Sequence, residues 1–217
     1  MSIKRQLKPI LGGLATILVV LALLYSQFIV ARIIAWIHPS DTNNTSLIPN
    51  DKAANLGPDR LVIPTLNVDA PLITDMRDIT ESKVQAALER GVVNFGPTAL
   101  PGEGNAVVVG HSSNDVWKPG DYKFVFALLE RMKPGDKIYV VYRNVRYTYT
   151  VGSTKVVEPN DVSVLRSTDT SQLTLITCTP VGTALRRFIV VADQTSPTPR
   201  PIHQTQSNPN VTQLPGN

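Results

Sequence analysis

The sequence predicts a mainly β domain, a barrel or a sandwich, carried behind an apolar amino-terminal helix. Three observations lead there. Between residues 60 and 193, short runs of β-branched and aromatic residues recur at close intervals, bounded by Gly, Pro, Asn or Asp. Only two stretches in that region carry a helical apolar stripe, and residues 10–30 contain no charged side chain. Many short strands with few short helices fit a closed or sandwiched sheet better than alternating α/β layers.

Ile10–Val30 is 21 uncharged residues. As a helix rising about 1.5 Å per residue it spans roughly 30 Å, the thickness of a bilayer's hydrocarbon core. It is apolar on all sides, unlike an amphipathic core helix. It is also longer than a signal-peptide core and is followed by Arg32 and more apolar residues, which favours an anchor over a cleaved leader. We therefore expect a basic cytoplasmic segment at 1–9, a transmembrane anchor at 10–37 with its amino terminus inside, and the remainder outside. Residues 38–59, rich in Asn, Asp, Ser, Thr and Pro, read as a linker.

The body follows as residues 60–193. Arg60–Val68 and Pro71–Ile73 read as extended runs punctuated by Pro64 and Pro71. Glu81–Arg90 reads as a helix: Thr80 suits its start, Val84, Ala87 and Leu88 form a stripe, and Gly91 suits its stop. Asn105–Gly110 is a short buried strand with His111 just past its end, and Lys123–Met132 is a candidate second helix. Ile138–Val151 alternates as a hairpin turning near Arg143-Asn144. Leu173–Thr177 and Phe188–Ala192 are the last strands, and residues 194–217, with five prolines, read as a disordered tail.

The charge pattern excludes one function class. The formal charge of +4 invites a nucleic-acid reading, but Lys4, Arg5, Lys8 and Arg32 account for all of it. The 21 basic residues less these four leave 17, against 17 acidic ones, from position 38 onward. The excess is local to the amino terminus, so no nucleic-acid partner is expected. One cysteine excludes an internal disulfide, and beside three histidines it makes a Cys/His zinc site unpromising. No EF-hand-like loop is present either, and no metal or cofactor is expected.

Counting also narrows the chemistry. His38 falls at the membrane edge and His203 in the tail, so His111 is the one histidine of the body, and Cys178 is the one thiol. A Cys–His pair suffices for acyl transfer, the thiolate attacking a carbonyl and the imidazole protonating the leaving amine. Alone, His111 would more readily be an incidental hydrogen-bonded histidine, and Cys178 as readily a small buried hydrophobe as a reactive thiol. The tetrahedral intermediate needs an oxyanion partner, and no acid or Asn stands out as an orienter of the histidine. Arg186 and Arg187, opening the final strand, are the candidates, since a guanidinium near the thiolate favours the anion and can bind an oxyanion. Adjacent strand residues face opposite ways, so periodicity leaves the choice between them open.

In these residues the chain resembles the sortase family. Leu173–Cys178 (LTLITC) is similar to that family's TLxTC signature, Arg187–Val190 to the arginine-led strand that follows it, and Asn105–His111 to the strand ending in its histidine. The likeness covers about residues 60–193. It implies a closed eight-stranded β-barrel with a few short helices, preceded by one transmembrane helix.

By the same resemblance, Cys178 is the nucleophile on an LPxTG-like sorting signal, forming a thioacyl intermediate. His111 is the general acid and base, Arg187 rather than Arg186 stabilises the oxyanion, Thr177 helps seat the substrate, and the loop 158–172 lines the groove. The implied partners are surface proteins bearing carboxyl-terminal sorting signals and an amine acceptor, a cell-wall peptide or a pilin lysine. The implied location is a bacterial cell membrane. Thr179-Pro180-Val181-Gly182 is similar to the TCTPxG continuation of pilin-polymerising types, but the linker lacks an Asp-Pro-aromatic lid motif and the tail a second hydrophobic run, so the subclass stays open. Leu214-Pro215-Gly216 resembles a fragment of a sorting signal but lacks the Thr-Gly pair, and reads as coincidence. Two other functions compete with transfer: a non-catalytic surface scaffold, and a membrane-anchored cysteine protease that hydrolyses without preference for an amine.

Overall fold

A computed structural model of the chain describes residues 15–17, 19, 56–76, 78–114, 120–199 and 214–215. Of the expected anchor, Ala15, Thr16, Ile17 and Val19 are described, as helix, and the rest lies outside the described residues, as do the basic segment and most of the linker. Among the described residues no helix is long and apolar enough to cross a membrane.

The body is a closed barrel of eight strands: β1 (Arg60–Ile63), β2 (Val68–Ile73), β3 (Val92–Asn94), β4 (Asn105–Val109), β5 (Lys137–Tyr142), β6 (Val145–Val157), β7 (Gln172–Thr179) and β8 (Arg186–Ser196). Around the barrel they run β1-β2-β3-β4-β7-β8-β6-β5, and β5 closes on β1. Pairs β2–β3 and β4–β7 are parallel and the others antiparallel. Parallel neighbours need a crossover. Between β2 and β3 it carries helix α1 (Glu81–Leu88), and between β4 and β7 it is the β5–β6 hairpin with its flanking loops.

Sequence chemistry accounts for the local breaks. Pro64 ends β1 and opens a 3-10 turn, Pro64–Leu66, closed by Asn67 in the left-handed region at φ 53°. The β5–β6 hairpin turns at Arg143 and Asn144, both at positive φ (49° and 59°), as a two-residue turn matched to strand twist requires. The Asn144 side chain accepts from Leu56 N–H at 2.6 Å, and Arg143 N–H donates to Asp59 Oδ1 at 2.8 Å. Register shifts flank Tyr149 and Gly152 in β6, so the strand bends and serves both β5 and β8.

One expectation is corrected. Lys123–Met132 is not a helix but a run of turns ending in a 3-10 turn at Leu129–Arg131. Phe126 sets its path: its N–H donates to His111 O at 2.9 Å and its side chain packs in the barrel core. The last strand also runs beyond residue 193, to Ser196.

Two apolar clusters flank the barrel wall. Ala106, Val108, Leu173, Leu175, Phe188 and Val190 point into the barrel. Their neighbours Val107, Val109, Ile176 and Ile189 point outward, into a second cluster shared with Val84, Ala87 and Leu88 of α1. Strands buried on both faces read as continuous apolar runs, which explains why β4 and β7 lack alternation.

Candidate active site

The outer face of β4, β7 and β8 positions the chemistry. On β7, Ile176 faces the outer cluster, so Cys178, two residues on, continues that face. On β8, Ile189 faces outward and Arg187 is its equivalent two residues earlier. In the antiparallel register Cys178 lies directly opposite Arg187. On β4, Val109 faces outward, and His111 follows at the same spacing. Val109 pairs with Ile176 in the parallel register, and Gly110 N–H continues the ladder to Ile176 O at 3.1 Å. Carried two residues on, that register sets His111 level with Cys178. Three adjacent strand ends thus bring all three side chains to one face, with neighbouring strands about 4.8 Å apart.

All three are buried: His111 is 1% exposed, Cys178 3% and Arg187 3%. Cys178 is in no disulfide. The Arg187 guanidinium meets four backbone carbonyls among the described residues. Nε donates to Pro215 O at 2.8 Å, Nη1 to Ala184 O at 3.1 Å and Arg186 O at 3.2 Å, and Nη2 to Leu214 O at 3.5 Å. Such a fork of fixed donors aimed at carbonyl oxygens is what a substrate carbonyl or an oxyanion needs. Arg186, on the opposite face of β8 from Arg187, is exposed at the strand end and pairs with exposed Glu158 at 3.1 Å.

His111 is held from both sides. Its carbonyl accepts from Phe126 N–H, and Asn114 Nδ2 lies 3.3 Å from its Nε2. If the amide donates there, Nε2 is the acceptor and the ring proton sits on Nδ1. Asn114 is therefore a candidate orienter of the ring, marked in the sequence by nothing but its place three residues after His111. Gly110 is required by packing: a Cβ there would sit 2.5 Å from the Phe126 ring.

Thr177, expected to help seat substrate, lies on the other face of β7 from Cys178. Its hydroxyl donates to Gly110 O at 2.8 Å and its register partner, Phe188, belongs to the barrel interior. That geometry makes it a strut between the ends of β4 and β7. The turn after Cys178 is tied to the loop after His111, since Gly182 N–H donates to Ser113 Oγ at 3.0 Å. Thr179 Oγ1 donates to Glu130 Oε1.

The loop from Glu158 to Ser171 joins β6 to β7 and carries a 3-10 turn at Val162–Leu165. Asp161 caps that turn by accepting from Ser163 N–H at 3.1 Å, and hydrogen bonding to Ser163 holds its carboxyl below the ordinary value. Buried Asn105 fastens the loop to the barrel: Nδ2 donates to Val164 O at 2.9 Å and Arg166 O at 3.0 Å, and Oδ1 accepts from Thr174 at 2.7 Å. Among the described residues no cluster of His, Cys, Asp and Glu is arranged to hold a metal ion.

The closed eight-stranded barrel thus carries a thiol, an imidazole and a guanidinium at adjacent strand ends. The family model for the Sortase domain matches residues 61–195, and the chain belongs to the sortase family. It is 30% identical over 143 residues to Sortase A of Listeria monocytogenes, covering 65% of this chain and 60% of that protein. It spans 51–65% of the length of the curated relatives it matches. Among solved structures it is similar to sortase C-1 from Actinomyces oris, with TM-score 0.53 and 27% identity, over 70% of this chain and 77% of that one. It is also similar to Clostridium perfringens sortase C with its C-terminal cell wall sorting motif, with TM-score 0.52 and 26% identity, over 63% of this chain and 69% of that one.

Proposed function

We propose that the chain is a cysteine transpeptidase that cleaves an LPxTG-like sorting signal and transfers the acyl fragment to an amine at a bacterial cell surface. The observation that carries this reading is the register that sets Cys178 opposite Arg187, with His111 just past the end of the neighbouring strand β4 and all three buried.

In the first half-reaction the Cys178 sulfur attacks the Thr carbonyl of the signal, and the carbonyl electrons move to oxygen. Arg187 stabilises that oxyanion. As the intermediate collapses the C–N bond breaks, His111 delivers a proton to the departing Gly nitrogen, and a thioester remains on Cys178. In the second, an incoming amine attacks the thioester, His111 removes its proton, and Cys178 leaves as thiolate while a new amide forms. Asn114 keeps the imidazole ring in place, and Thr177 holds the ends of β4 and β7 at fixed spacing. Residues 10–37 would tether the enzyme to the membrane, with the barrel outside, and the acceptor would be a cell-wall peptide or a pilin lysine.

Separating peptide products by mass tests the reading. The full chain in detergent, given an LPxTG-containing peptide and an oligoglycine or diamine, should yield the amide-linked product in excess of hydrolysed acid. Cys178→Ala and His111→Ala should each abolish both products with the fold retained. Hydrolysed acid alone, unchanged by amine, would make the chain a protease.

A further inference from the structure

We infer that Leu214-Pro215 of this chain is an intramolecular occupant of its own substrate groove, which an external sorting signal must displace. The inference rests on the reading of the site given under Proposed function. Three independent contacts support it. Two of the four carbonyls on the Arg187 guanidinium are those of Leu214 and Pro215. The Leu214 side chain is 2% exposed and belongs to the outer apolar cluster that includes Val109, Ile176 and Ile189, each two positions from His111, Cys178 or Arg187. Leu214 N–H donates to Pro159 O at 2.7 Å, so the tail's backbone is fastened to the loop between β6 and β7.

The pairing of residue types with these contacts is what makes the segment a mimic. A buried leucine side chain followed by a proline, with their carbonyls on the catalytic-site arginine, is how the Leu-Pro start of a sorting signal would use the same wall. The next residues, Gly216 and Asn217, do not reproduce the Thr-Gly pair that carries the scissile bond. The segment therefore occupies the groove as a competitor and not as a substrate. The 17 residues between Ser196 and Leu214 can span up to about 56–61 Å, enough to return to the site from the end of β8.

A tethered ligand acts at an effective concentration on the order of millimolar. If its intrinsic dissociation constant is about 0.1 mM, it raises the apparent KM for a peptide roughly tenfold without changing kcat.

The test compares the full chain with its Leu214→Ser/Pro215→Ala double variant and the milder Leu214→Ala. The first probe is a labelled peptide of the chain's own sequence Thr-Gln-Leu-Pro-Gly-Asn, followed by fluorescence anisotropy. It should bind the double variant about tenfold more tightly than the parent, with Leu214→Ala between them. Equal binding to parent and variants, or binding to none, overturns the inference. The second probe is the LPxTG-containing peptide with an amine acceptor. KM should fall about tenfold in the double variant with kcat within twofold, and an unchanged KM overturns the inference. If no chain turns that peptide over while the tail peptide still distinguishes variant from parent, the occupied groove stands and the transpeptidase reading fails.

Discussion

Cys178 and Arg187 are direct partners across the antiparallel β7–β8 ladder, both buried and both on the strand face that carries the outer apolar cluster. Directly opposed side chains sit with their Cβ atoms about 4.5–5.5 Å apart. Arg186, one residue earlier, faces solvent and spends its charge on Glu158. The ladder therefore distinguishes two arginines that the linear sequence leaves equivalent.

Removing Arg187 should lower kcat/KM for peptide transfer by roughly 10²-fold or more, the usual cost of an oxyanion donor. Arg187→Lys should recover little, because an ammonium lacks the planar fork. Arg186→Ala should stay within about twofold, since an exposed ion pair contributes little. Steady-state kinetics on the three variants checks the order, and a large loss at Arg186 with normal activity at Arg187 would reverse the assignment.

Asn114 positions His111 through Nδ2 to Nε2, so its replacement should act on the histidine's titration and not only on stability. Asn114→Ala should lower kcat several-fold. Asn114→Asp places a carboxylate beside the imidazole and favours its protonated form. The limb of the pH–rate profile belonging to His111 should then move to higher pH. A profile that keeps its shape in Asn114→Asp would remove Asn114 from the mechanism.

The attachment of the β6–β7 loop depends on Asn105. Asn105→Ala strands the Val164 and Arg166 carbonyls and the Thr174 hydroxyl, at about 1–3 kcal/mol for each group left buried and unpaired. Thermal melting should fall by roughly 10 °C. Where the variant still folds, KM should rise more than kcat falls if, as proposed, the loop contacts substrate and Cys178, His111 and Arg187 carry the reaction.

Tyr149 gives a pH dependence of stability. Burial pushes its hydroxyl up to about 12, with Gly102 N–H donating to it at 3.1 Å. In the unfolded chain a tyrosine ionises near 10. Between those values the unfolded state has lost a proton that the folded state keeps, so folding weakens as pH rises. The stabilisation is complete below about pH 10 and falls by roughly 1.4 kcal/mol per unit toward pH 12. Denaturant melts across pH 9–12 should show that slope in the parent and a shallower one in Tyr149→Phe.

Much of this arrangement is legible in the sequence. The hairpin at Arg143-Asn144 follows from alternation broken at one point, and α1 from one apolar stripe with a matching start. The candidate residues stand out because the body offers so few histidines and thiols. What escaped was set by tertiary contacts. Lys123–Met132 has helical spacing, yet Phe126 is drawn into the barrel against Gly110 and bonded to the His111 carbonyl, and the chain turns instead. Thr177 carries the family signature, but only the parity of β7 shows that its hydroxyl faces Gly110. Asn105 and Asn114 have no spacing that distinguishes them from other asparagines. Leu214, in a stretch whose composition predicts disorder, is buried because a preformed apolar wall lies within its reach.

The central claim is that Cys178 carries the acyl group. Intact mass of the full chain, quenched in acid during reaction with an LPxTG-containing peptide, tests it most directly. The account predicts an added mass equal to the peptide fragment ending at Thr. That mass should map to Cys178, be absent in Cys178→Ala, and disappear when oligoglycine or a diamine is added. Turnover of the peptide by a folded enzyme with no adduct on Cys178, or with activity surviving in Cys178→Ala, would contradict it.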